Sequence, residues 1–137
     1  MFKTVLFPID ASREAREAAK VVEDIVKTYN SRLVLLSVVE NPPTEHGEAT
    51  AEVMTSAEAV EKLLEGAKQA FAQQGIQAEV MEREGMPSFT ICDVADELEA
   101  NLIVMGSSGM GLTEEGVSES VTTRVINLSP CPVLIVP

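Results

Sequence analysis

The stretch Asn101–Gly109, NLIVMGSSG, runs four apolar residues straight into a pair of glycines. Leu102 to Met105 has no polar interruption, which predicts a short strand buried on both faces rather than an amphipathic one. Gly106 and Gly109 follow it directly. Glycine there permits positive φ and lets backbone N–H groups approach an anion with no Cβ in the way, so the loop reads either as an anion cradle or as an ordinary turn. Further on, Ser118 to Asn127 has helical spacing, with the amides of Ser120 and Val121 near its start, where the helix dipole favours negative charge.

On either side of this stretch the chain alternates short apolar runs with helical stretches. Thr4 to Ile9 predicts a first strand. Ser12 then caps a helix whose apolar positions Ala15, Ala18, Ala19, Val22, Ile25 and Val26 recur at i, i+3, i+4. Arg32 to Val39 (RLVLLSVV) predicts a second strand, Ala51 to Gln73 a long helix stopped by Gly75, and Gln77 to Arg83 a third strand. Met86-Pro87-Ser88 opens a helix running to about Glu99. Leu102 to Met105 is the fourth strand and Val133 to Val136 closes the chain. Strict alternation of strand and helix predicts an α/β fold, a five-stranded doubly wound parallel sheet with helices on both faces. With 137 residues, one domain is expected over 1–137. Ligands of such sheets lie beyond the carboxyl ends of the strands, where strand order reverses. Pro8 to Ser12, Val38 to Glu40, and Met105 to Gly109 fall there.

Composition narrows the function. The chain is 45% hydrophobic but 4% aromatic, without Trp, so aliphatic side chains build the core. Ten basic against twenty-two acidic residues give a net charge of -12, which repels nucleic acid and anionic membrane surfaces. No early apolar segment has signal-peptide length and no run reaches the ~20 residues of a membrane span, so a cytoplasmic location is expected. Cys92 and Cys131 are far apart in sequence with no CxxC or Cys/His spacing, which predicts two reduced thiols and no metal site. His46, the only histidine, lies in the Pro-rich loop Asn41–Gly47 and reads as surface. Asp10 follows the first strand, where a carboxylate either forms a turn with its own backbone or meets a sugar or base. There is no GxSxG elbow, no Walker lysine and no histidine beside a nucleophile, so an enzyme is not expected.

Four blocks then stand in order: Lys3 to Ser12 (KTVLFPIDAS), Gly85-Met86-Pro87, Asn101 to Gly109, and Ser129 to Val136 (SPCPVLIV). Together they resemble the universal stress protein family over essentially the whole length. The resemblance implies a domain of the adenine nucleotide alpha hydrolase-like type, usually a homodimer whose closing strands pair, here Val133 to Val136. It implies no required cofactor, with an adenine nucleotide, AMP or ATP, as ligand. The site residues it implies are Pro8, Ile9 and Asp10 on the first loop, Val38 for the base, Met105 and Gly106 for the sugar side, and Ser108, Gly109, Ser120 and Val121 for phosphate.

The chain departs from the family's nucleotide-binding pattern G-x2-G-x9-G-[ST] at one place. Gly106 and Gly109 are intact, but Glu119-Ser120 stands where Gly-Ser is wanted, and Gly116 is too early to substitute. At ~5 Å and an effective dielectric near 20, each pair of like unit charges costs about 3 kcal/mol before screening. Glu119 therefore opposes outer phosphates, and AMP-like ligands are expected over ATP; Glu114 and Glu115, in the intervening loop, read as surface residues that would add to the repulsion only if turned inward. Two functions follow: a stress-response protein that binds an adenine nucleotide, or a homodimeric interaction module without nucleotide whose acidic surface meets a protein partner. A slow ATPase is a third reading.

Overall fold

The computed structural model describes residues 1–10, 13–39, 57–107 and 121–137. The strands are β1 (Thr4–Pro8), β2 (Arg32–Val39), β3 (Ala78–Glu84), β4 (Leu102–Gly106) and β5 (Val133–Val136). The helices are α1 (Arg13–Tyr29), α2 (Ala57–Gln73), α3 (Pro87–Leu98) and α4 (Val121–Leu128). The predicted Ser12 cap, the loop bearing His46, and residues 51–56 and 118–120 of the predicted helices lie outside the described residues.

All pairings are parallel and the sheet order is β3-β2-β1-β4-β5. The chain steps outward from β1 to β3, then returns to the other side of β1 for β4 and β5. The order therefore reverses between β1 and β4.

Strand parity explains the two layers of helix. Successive strand side chains point to opposite faces. Val5 and Phe7 of β1 share a core with Leu33 and Leu35 of β2, Val104 of β4, Ala18 and Val22 of α1, and Val60 and Leu64 of α2. Leu6, Val34, Leu36 and Ile103 share the other with Ile91, Val94 and Ala95 of α3 and Val125 of α4. β1, β2 and β4 are thus covered on both faces, which is why their sequences are apolar runs without alternation. β3, an edge strand, alternates instead and exposes Glu79, Glu82 and Glu84, charges that discourage edge-to-edge pairing.

The sequence-predicted boundaries hold to within about a residue at most ends. β1 stops at Pro8 rather than Ile9, although the Ile9 amide still donates to the Leu36 carbonyl at 2.8 Å. Gly75, with φ 82°, ends α2 as expected. Gly85 has φ 148° and room for no side chain, since a Cβ would come within 2.8 Å of Thr90 Oγ1. Its amide donates to the Val39 carbonyl at 2.9 Å, which holds the start of α3 beside the end of β2.

Candidate nucleotide crevice

The seam between β1 and β4 opens toward the carboxyl end. Its ladder pairs only Val5 with Leu102 and Leu6 with Ile103, although β1 continues to Pro8 and β4 to Gly106. Each upper strand end is fastened to its outer neighbour instead. On the β2 side the ladder runs through Pro8 and Leu36, the Ile9 amide follows, and the Ser37 hydroxyl donates to the Ile9 carbonyl at 3.2 Å. On the other side Gly106 pairs with Val136, and the Ser107 amide donates to the Val136 carbonyl at 2.9 Å. The lower end of the seam is clamped by Asn101. Its Oδ1 accepts from the Thr4 amide at 2.8 Å and its own amide donates to the Thr4 carbonyl at 2.8 Å.

This brings the predicted residues of the two loops to facing walls. One wall is half-buried Pro8, buried Ile9 and exposed Asp10. The other is Met105, buried on its α3 and α4 side, and half-buried Gly106. Thr122, itself buried, donates from Oγ1 to the Gly106 carbonyl at 3.4 Å, so the first turn of α4 is tied to the end of β4. Val121, predicted to lie near a helix start, is the first residue of α4. Val38 is in β2, its side chain buried with Ile91 and Val94, so it offers a ligand its backbone more than its side chain. Ser108, Gly109, Ser120 and Glu119 lie outside the described residues.

Sequence reasoning missed Ser88 as a polar group near this end of the sheet. It is 1% exposed in the first turn of α3, and its Oγ has no hydrogen-bond partner among the described residues. Met86 provides no side-chain cap to that helix. The Pro-Ser pair marks the helix start in the sequence, but nothing there says that the hydroxyl is buried.

Among the described residues there is no group of three or more metal-ligating side chains and no helix long and apolar enough to cross a membrane. The cysteines, separate in sequence, pack on the same α3 and α4 side of the sheet, both free. Burial pushes the Cys92 thiol up, with Asp93 and Cys131 adding to it. Burial also raises Cys131, against a hydrogen bond from Ser129. Both are therefore poor nucleophiles at neutral pH.

The whole chain, residues 1–137, matches the universal stress protein family. It belongs to that family. A curated universal stress protein of Synechocystis sp., Sll1654, is 67% identical over 138 residues, covering 100% of this chain and 87% of the relative. Among solved structures, the universal stress protein UspA from Lactobacillus plantarum superposes with a TM-score of 0.80 at 24% identity, covering 99% of this chain and 98% of that one. A universal stress protein in complex with cAMP superposes with a TM-score of 0.75 at 23% identity, covering 98% and 96%. The five-stranded doubly wound sheet expected of a universal stress protein is the one observed.

Proposed function

We propose that this universal stress protein binds an adenine nucleotide in the crevice between β1 and β4 and favours AMP-like ligands over ATP. The observation that carries the reading is the short β1–β4 ladder, which parts two loops at the topological switch point where such sheets receive ligands. A fold neighbour in complex with cAMP supports an adenine ligand. Asp10 serves the ribose or base, Gly106, Ser108 and Gly109 approach the sugar and first phosphate, and Ser120 and Val121 present the helix start to it. Val38 and Ser88 supply polar groups toward the base, the Ser88 hydroxyl gaining a partner that it lacks among the described residues. Glu119 then penalises the outer phosphates.

Isothermal titration with AMP, ADP and ATP tests this. The expected order is AMP at or above ADP, with ATP weakest. Glu119→Gly removes a charge and restores backbone approach, so ATP should gain about 1–3 kcal/mol and AMP far less. Asp10→Ala should weaken all three by a similar factor. Equal affinities, or ATP tightest in the wild type, would sink the phosphate discrimination. No binding by any of the three would favour the interaction module instead.

The same reading includes a homodimer through Val133–Val136. β5 is an edge strand, hydrogen-bonded only to β4 among the described strands, and Leu134 is 37% exposed. Pairing with a second copy covers it. A monomer in sedimentation at micromolar concentration would contradict the dimer.

A further inference from the structure

A second concavity lies on the opposite side of β1 from α3. α1 packs over β4 and β5, whereas α2 packs over β2 and β3. The helices are thus splayed away from the central strand, and a groove with a cavity of about 410 Å³ runs between them. That size falls in the range of roughly 300–1,000 Å³ typical of small-molecule sites. Its floor is Phe7 and Phe71, which meet edge-on with ring centroids 6.3 Å apart. Its walls are small, with Ala15 and Ala19 on α1 and Gly66, Ala67 and Ala70 on α2. Small residues on two facing helices usually permit close approach, yet these helices leave space between them.

Charge gives the groove a direction. Arg16 and Lys62 line it from opposite sides, and neither has an ion-pair partner among the described residues. Both helices run down from the carboxyl end of the sheet, so Arg16, in the first turn of α1, and Lys62 lie toward its upper end. Below Lys62 the α2 wall is apolar as far as Ala70, eight residues or about 12 Å along the axis. Asp10, at the top, is the one carboxylate lining the groove among the described residues and would turn an anion inward, toward the cations. In a chain of net charge -12, two cations without an ion-pair partner among the described residues, set above an apolar trough, fit a ligand with an anionic head and an alkyl tail.

We propose that the groove between α1 and α2 binds a medium-chain fatty carboxylate, its head between Arg16 and Lys62 and its tail over Phe7 and Phe71. The groove meets the rim of the nucleotide crevice at Ile9 and Asp10, which line both, but the positions of head and tail, Arg16 and Lys62 above Phe7 and Phe71, lie outside that crevice. Decanoate is the probe, titrated calorimetrically into the full chain, with decanol as the neutral comparison. Decanoate should bind about tenfold or more tightly than decanol. Gly66→Leu should abolish both, because its side chain grows into the groove; a Cβ there meets nothing within 4 Å, and leucine favours the helix, so the fold is kept. A thermal melt confirms that the variant is folded. The Arg16→Glu, Lys62→Glu double variant should lose decanoate and keep decanol. Saturating AMP should leave decanoate affinity unchanged. The proposal is overturned if decanoate fails to bind the wild type, as expected were the groove a seat for another protein chain. It is equally overturned if Gly66→Leu binds normally, or if AMP displaces decanoate, which would make the groove an extension of the nucleotide crevice.

Discussion

β1 is joined to β2 along its whole length and to β4 along only its lower part. On the β2 side five positions pair, and Ser37 and the Ile9 amide extend the join past the end of the strand. On the β4 side two positions pair. Both seams are lined by buried side chains, Leu35 and Leu36 on one and Val104 and Met105 on the other, so the gap is no failure of packing. The difference lies in what holds the upper ends. β1 ends tied to β2 and β4 ends tied to β5, so the carboxyl edge of the sheet divides into two pairs with a crevice between them.

The largest effect is expected from truncating the residue common to both seams. Leu6, fully buried, is opposite Val34 on one side and Ile103 on the other. Leu6→Ala should cost about 2–5 kcal/mol in urea unfolding, through lost transfer energy and a residual cavity. A loss below 1 kcal/mol would mean that the two seams do not meet in one core.

A sharper experiment separates the seams. Asn101→Ala removes the acceptor for the Thr4 amide at the foot of the open seam and should cost about 1–3 kcal/mol. Ser37→Ala removes one hydrogen bond at the head of the closed seam and should cost about 0.5–1.5 kcal/mol. Asn101→Ala should also weaken AMP, because the crevice walls lose their common hinge. Equal losses of stability and unchanged AMP affinity in both variants would show that the seams are equivalent.

The smallest effect concerns the outer seam between β2 and β3. Arg32 donates to Glu79 from Nε at 2.7 Å and from Nη2 at 2.9 Å. The hydrogen bond from Arg32 holds the Glu79 carboxyl below its ordinary value, and Arg32 is raised in turn. A lowered carboxylate contributes stability above its unfolded value near ~4.3, and that contribution is lost as pH falls through the lower folded value. Both side chains are about half exposed, so solvent screening limits the pair to about 0.2–1 kcal/mol. Glu79→Gln should remove that increment at pH 7 and flatten the decline of stability below about pH 4. A larger loss at pH 7 would make this exposed pair a structural clamp.

Much of the fold was legible in the sequence because burial on both faces leaves a plain mark. RLVLLSVV and VLIV begin and end where periodicity places them, since each run is bounded by polar or proline residues. Asp10 and Gly106 were legible as strand-end residues for the same reason. Which strands would be neighbours was not, because order and register depend on contacts distant in sequence. The cysteines show this best: Cys92 on α3 and Cys131 before β5 share one side of the sheet only because β4 and α4 place them there. That the Ser88 hydroxyl has no hydrogen-bond partner among the described residues was equally hidden, since a helix-opening serine normally finds a backbone amide or water.

The clamp between Thr4 and Asn101 also sets an order of events during synthesis. These residues are separated by 97 positions, and ribosomes add about 5–20 residues per second. β1 can meet β2 soon after both emerge, but it must wait about 5–20 seconds for β4. Throughout that interval the nascent chain carries a strand whose second edge has no partner, the kind of edge that chaperones shield and aggregates recruit. The join that remains partly open in the finished protein is therefore also the last internal join of β1 to be made.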